Sequence, residues 1–166
     1  MKPVVLFSLI VVVSLVLIPS SWIHRCRAWA SGAEYLGDEA VRFQSGESTC
    51  GPASLAMIYE FYGLHVSEKD IINSVPISPA GTTMFALFQH ARKCGLNVMG
   101  ERLCLKELKM CSFPVILFVN GRHFVVGDSI SGGEVYLRDP AVGRVKLSES
   151  SFQKLWCGET LVFARD

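Results

Sequence analysis

The chain has 166 residues, half of them apolar and 19% charged, which supplies one buried core and excludes a disordered chain. Sixteen basic residues face fifteen acidic ones, a formal net charge of +1 with no long run of either sign, so nucleic acid and polyanionic partners are not expected. The mean hydropathy of +0.35 is high for a soluble domain, and one segment accounts for much of it.

That segment comes first. Pro3 to Ile23 is 21 residues without a charge, preceded by Lys2 and followed by Arg25, Arg27 and the small-x-small stretch Ala28-Trp29-Ala30. A basic start, an apolar run and such a site read as a signal peptide cut after Ala30. The same run also meets the ~20 residues that an uncleaved membrane anchor needs. Both readings put the chain at or beyond a membrane, periplasmic, secreted or anchored. Residues 1–30 are therefore expected to be a leader or anchor, 31–43 a linker, and 44–166 the folded domain.

Helices are expected next. Cys50 to Phe61 or Tyr62 carries Leu55, Ile58, Tyr59 and Tyr62 at helical spacing. Thr49 stands as its N-cap, Pro52 fits the first turn, and Gly63 stops it. Ser67 with Asp70 forms a capping box for a short second helix. A third helix is expected from Thr83 to Cys94, with Thr82 as cap and Gly95 as stop. Leu103 to Met110 reads as a brief fourth.

From Pro114 the pattern turns to strands. Val115-Ile116-Leu117-Phe118-Val119 is a β-rich apolar run. Asn120-Gly121 is a hairpin signal, and Phe124-Val125-Val126 is the returning strand. Ser131-Gly132-Gly133 makes the next turn, Val135-Tyr136-Leu137 a third strand, and Asp139-Pro140 with Gly143 another turn. Ser148 caps a last short helix to Trp156, stopped by Gly158, before a closing strand at Leu161-Val162-Phe163. Helices first and an antiparallel sheet after argue for an α+β domain.

Four residues carry chemistry as a set. Cys50 begins a helix, where free N–H groups and the positive end of the macrodipole favour thiolate. Gln44, six residues earlier, could donate its amide to an oxyanion together with the Cys50 N–H. His123 starts a strand and could take and return a proton. Asp139 ends the partner strand, and antiparallel pairing would bring it beside His123 to orient the ring. Asp128 is a weaker substitute at the far end of the hairpin. Singly, each has a plainer use: buried thiol, solvated loop amide, hairpin histidine, Asp-Pro turn. His65 and His90 read as structural, and Trp156 as core.

Metal chemistry is not expected. No C-x-x-C pair exists, and cysteines at 94, 104 and 111 match no familiar zinc spacing. The cysteines other than Cys50 allow disulfides in an oxidising compartment, or serve as small buried hydrophobes.

Gln44-Ser45-Gly46-Glu47-Ser48-Thr49-Cys50-Gly51-Pro52, with Gly121-Arg122-His123-Phe124 and Arg138-Asp139-Pro140-Ala141-Val142-Gly143, resembles the bacteriocin-processing peptidases that cut double-glycine leaders. The resemblance runs over about residues 42–163. It implies a papain-like fold with N-terminal helices packed on an antiparallel sheet, and a cysteine peptidase acting on a peptide or protein substrate. It assigns nucleophile to Cys50, base to His123, orienting acid to Asp139 and oxyanion donor to Gln44, with no metal or organic cofactor. The resemblance implies a groove that accepts small residues, ideally glycines, on the acyl side of the cut, and many relatives are fused to transporters. These residues hold no phosphate-binding loop, so a stand-alone peptidase working with separate export machinery is expected. A domain that binds leaders without cutting, or another amide hydrolase on the same scaffold, would use the same residues differently.

Overall fold

Along the strand Val115–Val119 (β3), Val115, Leu117 and Val119 join one hydrophobic cluster, while Ile116 and Phe118 pack against another. Side chains alternate along a strand, so a strand apolar at every position must be covered on both faces. That single run dictates a sheet with helices on each side.

The computed structural model describes residue 26 and residues 32–164. The other strands are β1 (Glu34–Gly37), β2 (Asn97–Arg102), β4 (His123–Ser131), β5 (Glu134–Asp139), β6 (Gly143–Ser148) and β7 (Trp156–Ala164). They form one sheet in the order β1-β6-β5-β4-β3-β7-β2, every neighbouring pair antiparallel. Helices α1 (Cys50–Phe61), α2 (Glu68–Ile72) and α3 (Met84–Lys93) contribute to the first cluster. Leu108 of α4 (Leu105–Leu108) and Phe152 of α5 (Glu149–Leu155) belong to the second. The fold is α+β and papain-like, helices on an antiparallel sheet.

Helix α1 is the central strut. Leu55, Met57, Ile58 and Tyr59 are fully buried, each large side chain contributing about 1.5–3 kcal/mol by leaving water. Gly63 takes φ +74 behind it, as a helix-stopping glycine does. The Tyr59 hydroxyl meets His90 Nδ1 at 2.6 Å and ties α1 to α3. Trp156 is buried and stacks on Phe152 at 5.1 Å, a packing role.

Several elements differ from the sequence reading. The stretch read as a linker, 31–43, supplies β1, an edge strand on β6. Four residues are too few to show alternation above the Gly-rich background. Strands β2 and β6 were not expected; polar residues at alternate positions (Arg144, Lys146) and Gly100 thin out the apolar signal. The cap of α3 is Thr83, whose hydroxyl accepts from the Ala86 N–H at 3.1 Å, not Thr82. Gly158 stops no helix; it lies within β7 at φ +108 beside the Leu103 carbonyl. The fourth helix is shorter than expected, because Cys104 and Glu107 cap it two residues late. None of the described cysteines is paired in a disulfide. The apolar run at 3–23 lies outside the described residues, and among the described residues no helix is long and apolar enough to cross a membrane.

Candidate active site

Cys50 is the first residue of α1, and this end of the helix is left open. Thr49 occupies the N-cap position, but its hydroxyl turns back to Gly46, accepting from the Gly46 N–H at 3.0 Å and donating to its carbonyl at 3.1 Å. No side chain caps the helix, its first turn holds no acid, and Pro52 has no N–H to offer. The positive end of the macrodipole therefore meets the Cys50 sulfur without a competing carboxylate. A Cβ at Gly51 would come within 2.6 Å of Thr82 Cγ2, 3.1 Å of Leu87 and 3.2 Å of Phe124. Only glycine lets the helix tip sit this close to the loop before α3 and to β4.

His123 enters through the hairpin turn, a three-residue link from Asn120 to Arg122 in which Asn120 and Gly121 take φ +54 and +64. His123 opens β4 and Asp139 closes β5. The β4–β5 ladder pairs Val126 with Arg138, so the two ends emerge side by side. His123 Nε2 donates to Asp139 Oδ1 at 2.9 Å, and the side chains are 23% and 17% exposed. The same oxygen accepts from the Ala141 N–H at 2.7 Å, which fixes the carboxylate. Asp128 is engaged elsewhere, with Arg138 at 2.8 Å.

With Nε2 held by Asp139, the other ring nitrogen is left for sulfur, and the His123 ring is near enough to the Cys50 thiol to lower it. Cys50 is 5% exposed. Its burial pushes the thiol up, but the His123 hydrogen bond, a backbone hydrogen bond at Phe124, the His123 charge and the Gly51 backbone together bring it below its usual 9.0. For His123, burial disfavours the cation, yet hydrogen bonds to Asp139 and Cys50 and their charges push it up to about 10. The two directions agree: both favour the arrangement with the proton on imidazole and the sulfur anionic.

Gln44 lies on the loop leading to α1. Its backbone N–H donates to the Pro140 carbonyl at 2.9 Å, tying this loop to the turn after Asp139. Its side-chain Nε2 donates to the Gly46 carbonyl at 2.7 Å and lies 3.4 Å from the Glu47 carbonyl. Those carbonyls fix which end of the amide carries the NH2, since a flipped amide would set oxygen against oxygen. Oε1 is buried without a partner among the described residues. A groove of about 760 Å³ lies beside this loop, lined by residues including Arg42, Phe43, Glu60, Leu64 and Glu68, and it reaches none of Cys50, His123 or Asp139. Ser45 is anchored on its Glu68 wall at 3.0 Å.

The backbone of Phe124 was not foreseen as part of the site, whereas Gly51 keeps the close backbone approach that a glycine after the cysteine implies. A main-chain group leaves no mark in a sequence; the glycine after the cysteine is the one signal that could have been followed further. Among the described residues, no three of His, Cys, Asp and Glu cluster as metal ligands do.

Comparison with known proteins agrees with this geometry. The sequence profile of the peptidase C39 family matches residues 38–166. An uncharacterized protein of Methanothermobacter marburgensis is 31% identical over 132 residues, 80% of this chain and 93% of that one. "Probable functional amyloid protease FapD" of Pseudomonas aeruginosa is 30% identical over 132 residues, covering 73% of this chain and 58% of FapD. Among solved structures, a double-glycine motif protease from an AMS/PCAT transporter, crystallised with its leader peptide, superimposes with a TM-score of 0.72 at 33% identity, covering 74% of this chain and 89% of that one. The chain belongs to the peptidase C39 family and is a cysteine-type peptidase.

Proposed function

We propose that this peptidase cuts after small residues, ideally a glycine pair, in a leader or secreted peptide, using Cys50, His123, Asp139 and Gln44. The observation that carries the reading is the His123–Asp139 hydrogen bond at 2.9 Å, with the His123 ring near enough to the Cys50 thiol at the open helix end to lower it. The Cys50 thiolate attacks the scissile carbonyl carbon, and the displaced electron pair moves onto the carbonyl oxygen. The Cys50 N–H at the open helix end and the Gln44 amide donate to that oxygen. His123 then gives its proton to the departing amine as the C–N bond breaks, leaving a thioester. Water, losing a proton to His123, attacks the thioester and releases the acid and the thiolate.

Gln44 stands on the loop that leads into α1, and its amide would reach the oxyanion by giving up the long 3.4 Å contact to the Glu47 carbonyl. The preference for glycine rests on kinship with a double-glycine motif protease. The uncharged run at 3–23 supports work outside the cytoplasm or at a membrane, handing over to separate export machinery. Fractionation of spheroplasts tests that location; a chain recovered wholly in the soluble cytoplasmic fraction would overturn it. The catalytic reading is tested with Cys50→Ala and mass analysis of products from glycine-pair peptides. Complete loss of cleavage with the fold intact is expected, and retained cleavage would remove Cys50 as nucleophile. If wild type cuts amide-linked non-peptides but no glycine-pair peptide, the substrate class is wrong.

A further inference from the structure

Strand β4 begins at His123, but its ladder with β5 begins only at Val126. At Phe124 the edge facing away from β3 therefore lacks a strand partner, although Phe124 is 3% exposed. A buried peptide group must be satisfied by something. Helix α1 does it with two side chains one turn apart, which share a helix face. The Phe124 backbone is near enough to the Cys50 sulfur to help lower its thiol. Ser54 Oγ donates to the Phe124 carbonyl at 3.2 Å.

Ser54 is fully buried, an unusual place for a serine. A helical serine can bond the carbonyl four residues back, which here belongs to Cys50. Ser54 reaches across to β4 instead. The Phe124 main chain, next to His123, thus has its carbonyl held by a hydroxyl from the same helix that carries the sulfur.

We propose that Ser54 is a positioning residue for the reaction: by holding the Phe124 carbonyl it keeps the Phe124 backbone against the Cys50 sulfur and the His123 ring within reach of it. The proposal rests on Cys50 and His123 as the reacting pair. Ser54 touches neither substrate nor the reacting atoms. It sets the separation of two elements that approach from different parts of the chain, and a displacement of about 1 Å there can cost far more rate than binding.

The test is Ser54→Ala in the full chain, with kcat and KM on a glycine-pair peptide and the pH midpoint of Cys50 alkylation by iodoacetamide. Roughly a tenfold loss in kcat is expected, with KM within about twofold, and an alkylation midpoint raised by about one pH unit. Phe152→Leu, in the cluster on the other side of the sheet, is the control for general destabilisation. It should lower the melting temperature and leave both readouts in place. Wild-type kcat and alkylation midpoint in Ser54→Ala would overturn the proposal, and so would the same changes in Phe152→Leu. Should Ser54→Ala fail to fold, Ser54→Thr retains the hydroxyl; a folded Thr variant should keep the wild-type midpoint, and a raised one overturns the idea. If Cys50→Ala is inactive while Ser54→Ala is normal, only this inference falls; if Cys50→Ala still cleaves, the underlying reading falls first.

Discussion

Asp139→Asn tests the electrostatic core of the site. The variant keeps the shape of the side chain and removes its charge from a bond of 2.9 Å to His123 Nε2. His123 is raised from 6.5 to about 10. At 1.36 kcal/mol per pH unit, that is ~5 kcal/mol in favour of imidazolium, net of burial. Asp139 and the thiolate share it, and the Asp139 hydrogen bond is the largest of the raising contributions. Half is then a fair portion for the carboxylate, ~2–3 kcal/mol, with little lost to screening because the two side chains are only 23% and 17% exposed. Removing it should cost about 50–100-fold in kcat/KM near pH 8. The alkaline limb of the kcat/KM profile should move from near pH 10 down to about pH 8. The assay is a pH series of kcat/KM on one glycine-pair peptide, wild type against variant. An alkaline limb still near 10 in Asp139→Asn, with activity within about threefold of wild type, would refute the claim that this carboxylate holds the imidazolium.

Two further outcomes follow from the same contacts. The raised His123 contributes stability that is complete below 6.5 and lost as pH climbs through about 10; the lowered Cys50 contributes above 9.0 and loses it as pH falls. Below 9.0 the two trends oppose one another, and from 9.0 to about 10 only the loss at His123 remains. The melting temperature of wild type minus that of His123→Ala should fall as pH rises from 9.0 through about 10; a difference that keeps rising through pH 10 would contradict the ion pair. Gly51→Ala forces a Cβ to 2.6 Å from Thr82 and 3.2 Å from Phe124, so it should destabilise the fold by about 1–3 kcal/mol in a denaturant titration. An unchanged denaturation midpoint would show that the loop before α3 gives way freely.

What could be read from the sequence depended on how local the cause was. The start of α1 at Cys50, the Ser67–Asp70 capping box and the Asn120-Gly121 turn are each set within four residues, and all three appear where the residues imply. The closeness of His123 and Asp139 was also legible, because a hairpin and one further turn bring those strand ends together. The failures share the opposite property. Strand β1 exists because β6 offers it an edge, and nothing within Glu34-Tyr35-Leu36-Gly37 announces that. Thr49 looks like a cap by composition, but Gly46 competes for its hydroxyl and wins. Ser54 reads as a neutral helix residue until Phe124, seventy positions away, arrives beside it.

The site residues stand at the ends of elements, and there is a physical reason. Inside a helix or a ladder every N–H is committed to a carbonyl, so nothing is left to stabilise a thiolate or an oxyanion. Cys50 opens α1, His123 opens β4 and Asp139 closes β5, while Gln44 hangs from the Pro140 carbonyl just past that last end. Where β5 stops short of Phe124, α1 takes over the strand's bonding with Cys50 and Ser54. The same vacancy that would destabilise an ordinary sheet is thus what lets a helix tip meet a histidine. It follows that substitutions such as Phe152→Leu, deep in the far cluster, should change melting without changing kcat. Substitutions at these ends should change kcat with comparatively small effects on melting.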